Sequence, residues 1–165
     1  MVSTSGCRLM QEDALDVFIT ELLPLATLLT PNIPEAEILA NRKIENVEDI
    51  KAAAAAICKL GCRYVLIKGG HFDGAEKVDY LFEDGKLKTS YRGISVNTRN
   101  THGTGCTLSS AITSYLAREM DMNTAIAMAK TYLSGAILAG KDMKIGEGHG
   151  PVNHFYEPKS LFTKS

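Results

Sequence analysis

The sequence predicts a layered α/β fold in which a mostly parallel sheet is flanked by helices. Apolar runs of strand length alternate with segments of helical periodicity, which is the pattern of α/β proteins. A two-residue Asp84-Gly85 turn joins two of the strand segments and predicts one antiparallel hairpin. At 165 residues, with no repeat or linker, the chain fits a single domain over residues 1–165.

The first elements are predicted to be a helix, a strand, a loop and a second helix. Residues 12–25 carry apolar side chains at helical spacing, and residues 26–30 form a short buried strand segment. Pro31 and Pro34 interrupt this pattern before residues 35–40 resume helical spacing.

The middle of the chain predicts a helix, an interior strand and a hairpin. Residues 46–60 read as a helix that Asn46 caps. Residues 63–68 form an apolar run suited to an interior strand. Residues 78–82 and 86–91 flank the hairpin turn, so we expect them to pair.

Two further helices are predicted at residues 105–118 and 123–139, with Gly140 as the terminator of the second. A segment rich in glycine and proline at residues 146–151 follows, and we expect it to be ordered coil.

The composition favours a small-molecule enzyme. A net charge of -1, from 18 basic and 19 acidic residues, provides no basic surface for nucleic acid or an anionic membrane. No segment reaches the roughly 18 apolar residues of a membrane span. The four cysteines lack the spacing of a structural zinc site, so we expect reduced thiols and a cytoplasmic protein.

The most informative motif is NTHGTGCT at residues 100–107, a predicted turn with two glycines that leads directly into a predicted helix. Backbone N–H groups and the macrodipole at a helix start favour a phosphate or a developing anion. Cys106 lies in the first turn, where such a field stabilises a thiolate. The pattern alone is equally compatible with an ordinary loop-to-helix junction and a buried cysteine.

The string GTGCT preceded by NTH resembles the anion-hole and catalytic-base motif of hydroxymethylpyrimidine/phosphomethylpyrimidine kinases, which belong to the ribokinase-like superfamily. Most of that superfamily has aspartate where this chain has Cys106. The resemblance implies that Cys106 is the catalytic base and that the turn, with Gly103, Thr104 and Gly105, forms the anion hole. It also implies that Thr101 lies near the nucleotide.

Residues 22–37 resemble the same family's strand-to-loop segment and contain Asn32 and Glu35 in an N-x-x-E arrangement. The resemblance implies that this pair organises Mg²⁺, since a hard cation prefers oxygen ligands and usually keeps several waters. The alternative is a turn in which Glu35 only caps a helix.

Residues 65–71, reading VLIKGGH, resemble the family's strand that ends in a lysine and a glycine pair. Lys68 would then neutralise charge on the transferring phosphoryl group, and Gly70 would let the backbone approach the nucleotide. A solvated lysine at a strand end is the alternative. His71 is expected either near the nucleotide or as a satisfied loop histidine.

The resemblance extends from MVSTSG at residues 1–6 to GEGHGPVNH at residues 146–154. We assign no catalytic task to His149 or His154. Residues 1–6 resemble a segment that normally lies well inside the family sequence. We therefore expect the carboxyl-terminal part of a ribokinase-like kinase domain, lacking the amino-terminal portion that grips the pyrimidine.

The family's chemistry implies ATP-dependent phosphorylation of 4-amino-5-hydroxymethyl-2-methylpyrimidine and its monophosphate in thiamine biosynthesis. ATP and Mg²⁺ are the implied cofactors. A sheet shortened at one side also predicts a homo-oligomer. A pyridoxal kinase of the same fold and a non-catalytic nucleotide-binding remnant remain the alternatives.

Overall fold

The structure is a computed structural model that describes residues 11–70, 77–93 and 95–158. Residues 1–6, which resemble a family segment, and His71 lie outside the described residues. The chain divides into two compact units, Met1–Gly93 and Ile94–Ser165. The assignment of both units to one kinase domain stays a prediction.

The first unit contains helices and strands in the predicted order. The first helix, α1 at Glu12–Val17, continues through a π-helical turn at Phe18–Leu22 and a 3-10 turn at Leu23–Leu25. The regular elements are α1 (Glu12–Val17), β1 (Leu28–Leu29), α2 (Ile33–Ala40), α3 (Val47–Cys58), β2 (Tyr64–Gly70), β3 (Lys77–Glu83) and β4 (Lys86–Gly93).

The described strands form one sheet in the order β1-β2-β3-β4. β1 and β2 are parallel, whereas β2/β3 and β3/β4 are antiparallel. The α/β class is confirmed, but in this part of the chain the strand directions are mixed and not mostly parallel. The reason is connection length: residues 71–76 between β2 and β3 are too few for a parallel crossover, which needs about a dozen.

The hairpin turn has the predicted chemistry. Asp84 and Gly85 both adopt positive φ, at 49° and 75°, as a tight turn between twisted strands requires. A side chain at position 85 would press on the backbone of Ala55, with its Cβ 3.1 Å from the Ala55 Cα. Glycine therefore serves both the turn and the close approach of α3.

Helix α3 supplies much of the core of this unit. Its small side chains Ala53 and Ala54 are fully buried and belong to the same cluster as Val65, Ile67 and Phe82. The small size of these side chains lets α3 lie close on the sheet. Burial of such side chains is the main stabilising contribution to the unit.

The second unit is built on two helices, α4 (Thr104–Ala117) and α5 (Met122–Gly140). Leu108 and Ile112 of α4 are buried, as are Ala125, Ile126 and Ala129 of α5. Asp121 caps α5 by accepting hydrogen bonds from the N–H groups of Asn123 and Thr124. Within the described residues, no helix is long and apolar enough to cross a membrane.

Candidate active site

The start of α4 is an open, uncapped helix end. Gly103 occupies the N-cap with φ 81°, a left-handed conformation that glycine adopts without strain. No side chain caps the helix, and helix geometry leaves the N–H groups of Gly105 and Cys106 without intrahelical acceptors. A Cβ added at Gly103 or Gly105 would meet no atom within 4 Å. There is therefore open space beside this helix start, where an anion could approach.

Cys106 is exposed, unlike the buried cysteine of the ordinary-junction alternative. It lines a cavity of about 550 Å³ in the second unit. The other lining residues come from α4, α5 and the segment after α5: Thr107, Ser110, Ala111, Ser114, Tyr115, Arg118, Tyr132 and His154. A thiol at the edge of a cavity and beside free helix N–H groups suits proton transfer at an anion site.

Asn100 anchors the turn that precedes α4. Its buried amide donates to the carbonyl oxygens of Gly140 and Met143, at 2.6 and 2.7 Å. These bonds satisfy carbonyls at the end of α5 and fix the turn against that helix. Sequence reasoning missed this role because Asn100 and Gly140 are 40 residues apart.

Thr101 and His102 complete the turn. Thr101 is exposed, and its carbonyl accepts a long bond of 3.4 Å from the N–H of Thr104. His102 donates its N–H to the Gly150 carbonyl at 3.1 Å. Thr101, Gly103, Thr104, Gly105 and Cys106 thus form one continuous surface turn, and their functional roles stay predictions.

The remaining predicted residues lie in the first unit, at the carboxyl ends of β1 and β2. Lys68 donates its N–H to the Pro31 carbonyl at 2.8 Å, and Lys68 pairs with Asn32 in a parallel bridge. Glu35 follows in the first turn of α2. Carboxyl ends of parallel strands are the usual ligand edge of an α/β sheet. The structure therefore brings Asn32, Glu35 and Lys68 together there.

Asn32 and Glu35 form a capping box at the start of α2. The Asn32 side chain accepts from the Glu35 N–H at 2.9 Å, and Glu35 Oε2 accepts from the Asn32 N–H at 3.0 Å. The structure therefore shows the alternative interpretation, in which Glu35 takes part in capping α2. The Mg²⁺ role of this pair stays a prediction.

The donor set limits what kind of metal site can form here. The described ranges contain no group of three or more His, Cys, Asp or Glu side chains that could hold a metal. One carboxylate and one amide oxygen fit a Mg²⁺ ion whose other ligands are water and phosphate oxygens.

Lys68 and Gly69 lie in an irregularity of β2. The β2/β3 register shifts between Ile67 and Gly70, and Gly69 has φ 79°. Such bulges redirect side chains and are frequent beside active sites. The Lys68 Nζ contacts the Thr30 carbonyl, so the ammonium is turned toward the loop after β1.

Asp79 of β3 supports this bulge and was missed by sequence reasoning. Its side chain is only 8% exposed, and Oδ1 accepts from the Gly69 N–H at 2.8 Å. Alternation along the strand places Asp79 on the same face as fully buried Leu81. An acidic residue at an inward position was therefore the signal that could have identified it.

Comparison with known proteins identifies the family. A family model described as Phosphomethylpyrimidine kinase matches residues 1–153. A hydroxymethylpyrimidine/phosphomethylpyrimidine kinase of Rhizobium meliloti is 45% identical over 157 residues, which cover 94% of this chain and 59% of that protein. The thiamine biosynthetic bifunctional enzyme TH1 of Arabidopsis thaliana is 43% identical, with 94% of this chain and 30% of that protein covered.

Solved structures agree with this relationship. Phosphomethylpyrimidine kinase from Clostridium difficile 630 superposes with a TM-score of 0.70 at 43% identity, covering 83% of this chain and 54% of that chain. Pyridoxal kinase from Staphylococcus aureus superposes with a TM-score of 0.80 at 31% identity, covering 94% and 56%. The ribokinase-like α/β fold is thereby confirmed, and the chain spans little more than half the length of these kinases. The chain belongs to the phosphomethylpyrimidine kinase family.

Proposed function

We propose that this chain is part of an ATP-dependent kinase that phosphorylates 4-amino-5-hydroxymethyl-2-methylpyrimidine, and then its monophosphate, in thiamine biosynthesis. The observation that carries the proposal is the exposed Cys106 in the uncapped first turn of α4. The names of the relatives at about 45% identity support the substrate.

The proposed mechanism assigns each predicted residue one task. Cys106 accepts the proton of the substrate hydroxyl as that oxygen attacks the γ-phosphorus of ATP, and the bond from the γ-phosphorus to the bridging oxygen breaks to release ADP. The N–H groups of the Gly103–Cys106 turn hold the negative charge that develops on the transferring group. Phosphoryl transfer requires mainly positioning and charge stabilisation, which these groups can provide.

The residues of the first unit would bind the phosphates of ATP and the Mg²⁺ ion. Lys68 would neutralise phosphate charge as a movable ammonium, and Gly70 would let the backbone approach the nucleotide. Thr101, in the second unit, is proposed separately as a nucleotide-binding residue. Asn32 and Glu35 would hold Mg²⁺ through its waters. When bound, that ion neutralises charge on the ATP phosphates.

Pyridoxal phosphorylation is the second candidate. The observation in its favour is the TM-score of 0.76 and 33% identity with a Staphylococcus aureus pyridoxal kinase in complex with AMP-PCP and pyridoxal. The pyrimidine kinase hypothesis is preferred because this chain has a higher sequence identity, 45%, to the hydroxymethylpyrimidine/phosphomethylpyrimidine kinase of Rhizobium meliloti. A third possibility is a nucleotide-binding remnant without turnover.

A substrate-panel assay tests these functions. ATP consumption is measured with hydroxymethylpyrimidine, its monophosphate and pyridoxal, using the protein as cells produce it and with its intact mass determined. We expect turnover with both pyrimidines and its loss in Cys106→Ala. Turnover with pyridoxal alone would support the second function. ATP binding without turnover on any substrate would support the remnant.

A further inference from the structure

Residues 150–154, which we call the clasp, hold the turn that carries Cys106. At the start of the clasp, Gly150 accepts the His102 N–H at 3.1 Å, and Pro151 pairs with His102 in a parallel bridge. A Cβ at Gly150 would overlap the side chain of Asn100. Glycine is thus required where the clasp meets the turn.

The other end of the clasp contacts the first turn of α4 directly. His154 Nε2 lies 2.9 Å from the hydroxyl of Thr107, which is only 8% exposed. Thr107 follows Cys106 in sequence, and its N–H donates to the Gly103 carbonyl at 2.8 Å. The ring of His154 therefore contacts the residue that closes the first helical turn.

Helix α5 fixes the clasp from behind. Tyr132 donates its hydroxyl to the His154 carbonyl at 3.0 Å, and the Asn153 N–H donates to the Ala136 carbonyl at 3.0 Å. His154 also lines the same cavity as Cys106. The backbone of His154 is thus fixed by a hydrogen bond from Tyr132, while its ring contacts Thr107.

We propose that His154 is a positioning residue, which acts through Thr107 to fix the direction of the Cys106 thiol and of the N–H groups beside it. The effect on turnover rests on the proposed kinase function, whereas the effect on the thiol does not. The family resemblance gives His154 no task, so this role goes beyond it.

Kinetics test the proposal in the protein that turns over substrate. We expect His154→Ala to lower kcat about tenfold, the scale of one lost hydrogen bond at a catalytic group, with KM for ATP changed less than about twofold. His149→Ala, in the same coil, is the control and leaves both unchanged. Thr107→Val should match His154→Ala, and Thr107→Ser, which keeps the hydroxyl, should restore the rate.

The double variant decides whether the two side chains act as one unit. His154→Ala combined with Thr107→Val should be no slower than either single variant, because both remove the same contact. Additive losses, or a His154→Ala rate equal to that of His149→Ala, would overturn the proposal.

Alkylation of Cys106 by iodoacetamide tests positioning without any kinase assay. A thiol fixed in the first turn of a helix reacts faster than one whose direction is not fixed, so His154→Ala should slow modification by about threefold, measured by mass spectrometry of the Cys106 peptide. An unchanged rate contradicts the proposal. A slowed rate in a protein that phosphorylates none of the substrates supports positioning while refuting the proposed function.

Discussion

Two cysteines of the described chain have opposite environments. Cys62 is 1% exposed, and burial raises the pKa of its thiol. Cys106 is exposed at a helix start. Cysteine is a packing residue in the first case, whereas the exposed Cys106 is the group that we propose to react. Because both residues are cysteines, only their exposure and their position relative to a helix distinguish the two environments.

Replacement of Cys106 tests its role as base. Cys106→Ala should lower kcat by about 100-fold to 10,000-fold, the usual loss for a general base, while ATP affinity is retained. Cys106→Asp should keep part of the rate because a carboxylate can accept the same proton. Cys62→Ala is the control for loss of a buried cysteine, and it should reduce the unfolding free energy more than it reduces kcat. Near-normal turnover in Cys106→Ala would show that the thiol is not the base.

Two replacements of Glu35 separate its capping role from its proposed metal role. Glutamine can still accept the Asn32 N–H, so Glu35→Gln should retain the helix cap while losing the charge. We expect it to weaken the Mg²⁺ dependence of turnover with little change in unfolding free energy. Glu35→Ala should also cost about 1 kcal/mol of stability. If the Mg²⁺ titration of Glu35→Gln equals that of the parent protein, Glu35 is only a helix-start residue.

At the scale of elements, a charged cluster joins β2, β3 and β4. Glu83 accepts hydrogen bonds from Arg63 at 2.7 Å, from the Tyr64 hydroxyl at 2.6 Å and from the Lys88 ammonium. Led by the Lys88 bond, these donors lower the pKa of the Glu83 carboxyl to about 2. The cluster lies at the surface, where such pairs contribute modestly to stability.

Acid should remove the contribution of this cluster. Because the folded-state pKa of Glu83 lies below its ordinary value of 4.5, its contribution is present above pH 4.5 and is lost as the pH falls toward about 2. The difference in unfolding free energy between the parent and Glu83→Gln should therefore shrink over that range in urea titrations. Glu48→Gln, which removes another surface glutamate, is the control. A difference that does not vary with pH would contradict the cluster's role.

At the scale of the whole molecule, β1 and β4 are the edge strands of the sheet in the described residues. β1 is only two residues long, and β4 forms the opposite edge. Exposed strand edges associate with other chains unless they are covered or charged.

Association through an edge is testable in solution. We expect the protein to sediment as an oligomer or to gain a complementary fragment. Leu87→Lys, at a 45% exposed position of β4, should weaken self-association because charge on an edge strand opposes pairing. Met143→Lys, at a similarly exposed position outside the sheet, is the matched control. A monodisperse monomer in sedimentation velocity would contradict the prediction.

Local patterns predicted most elements closely. The helices expected at residues 105–118 and 123–139 occur at Thr104–Ala117 and Met122–Gly140, because periodicity, capping residues and glycine terminators act within one or two turns. The strand expected at residues 26–30 shortens to Leu28–Leu29. Strand length depends on the partner strand, which periodicity does not reveal.

The sequence by itself determined the α/β class, the family and the identity of the residues in the Gly103–Cys106 turn, since each depends on neighbours along the chain. The tertiary structure decided which distant groups support them. Asn100 holds the end of α5, Asp79 holds the bulge at Gly69, and His154 holds Thr107. These hydrogen bonds join residues up to 47 positions apart, and only folding brings such donors and acceptors within reach.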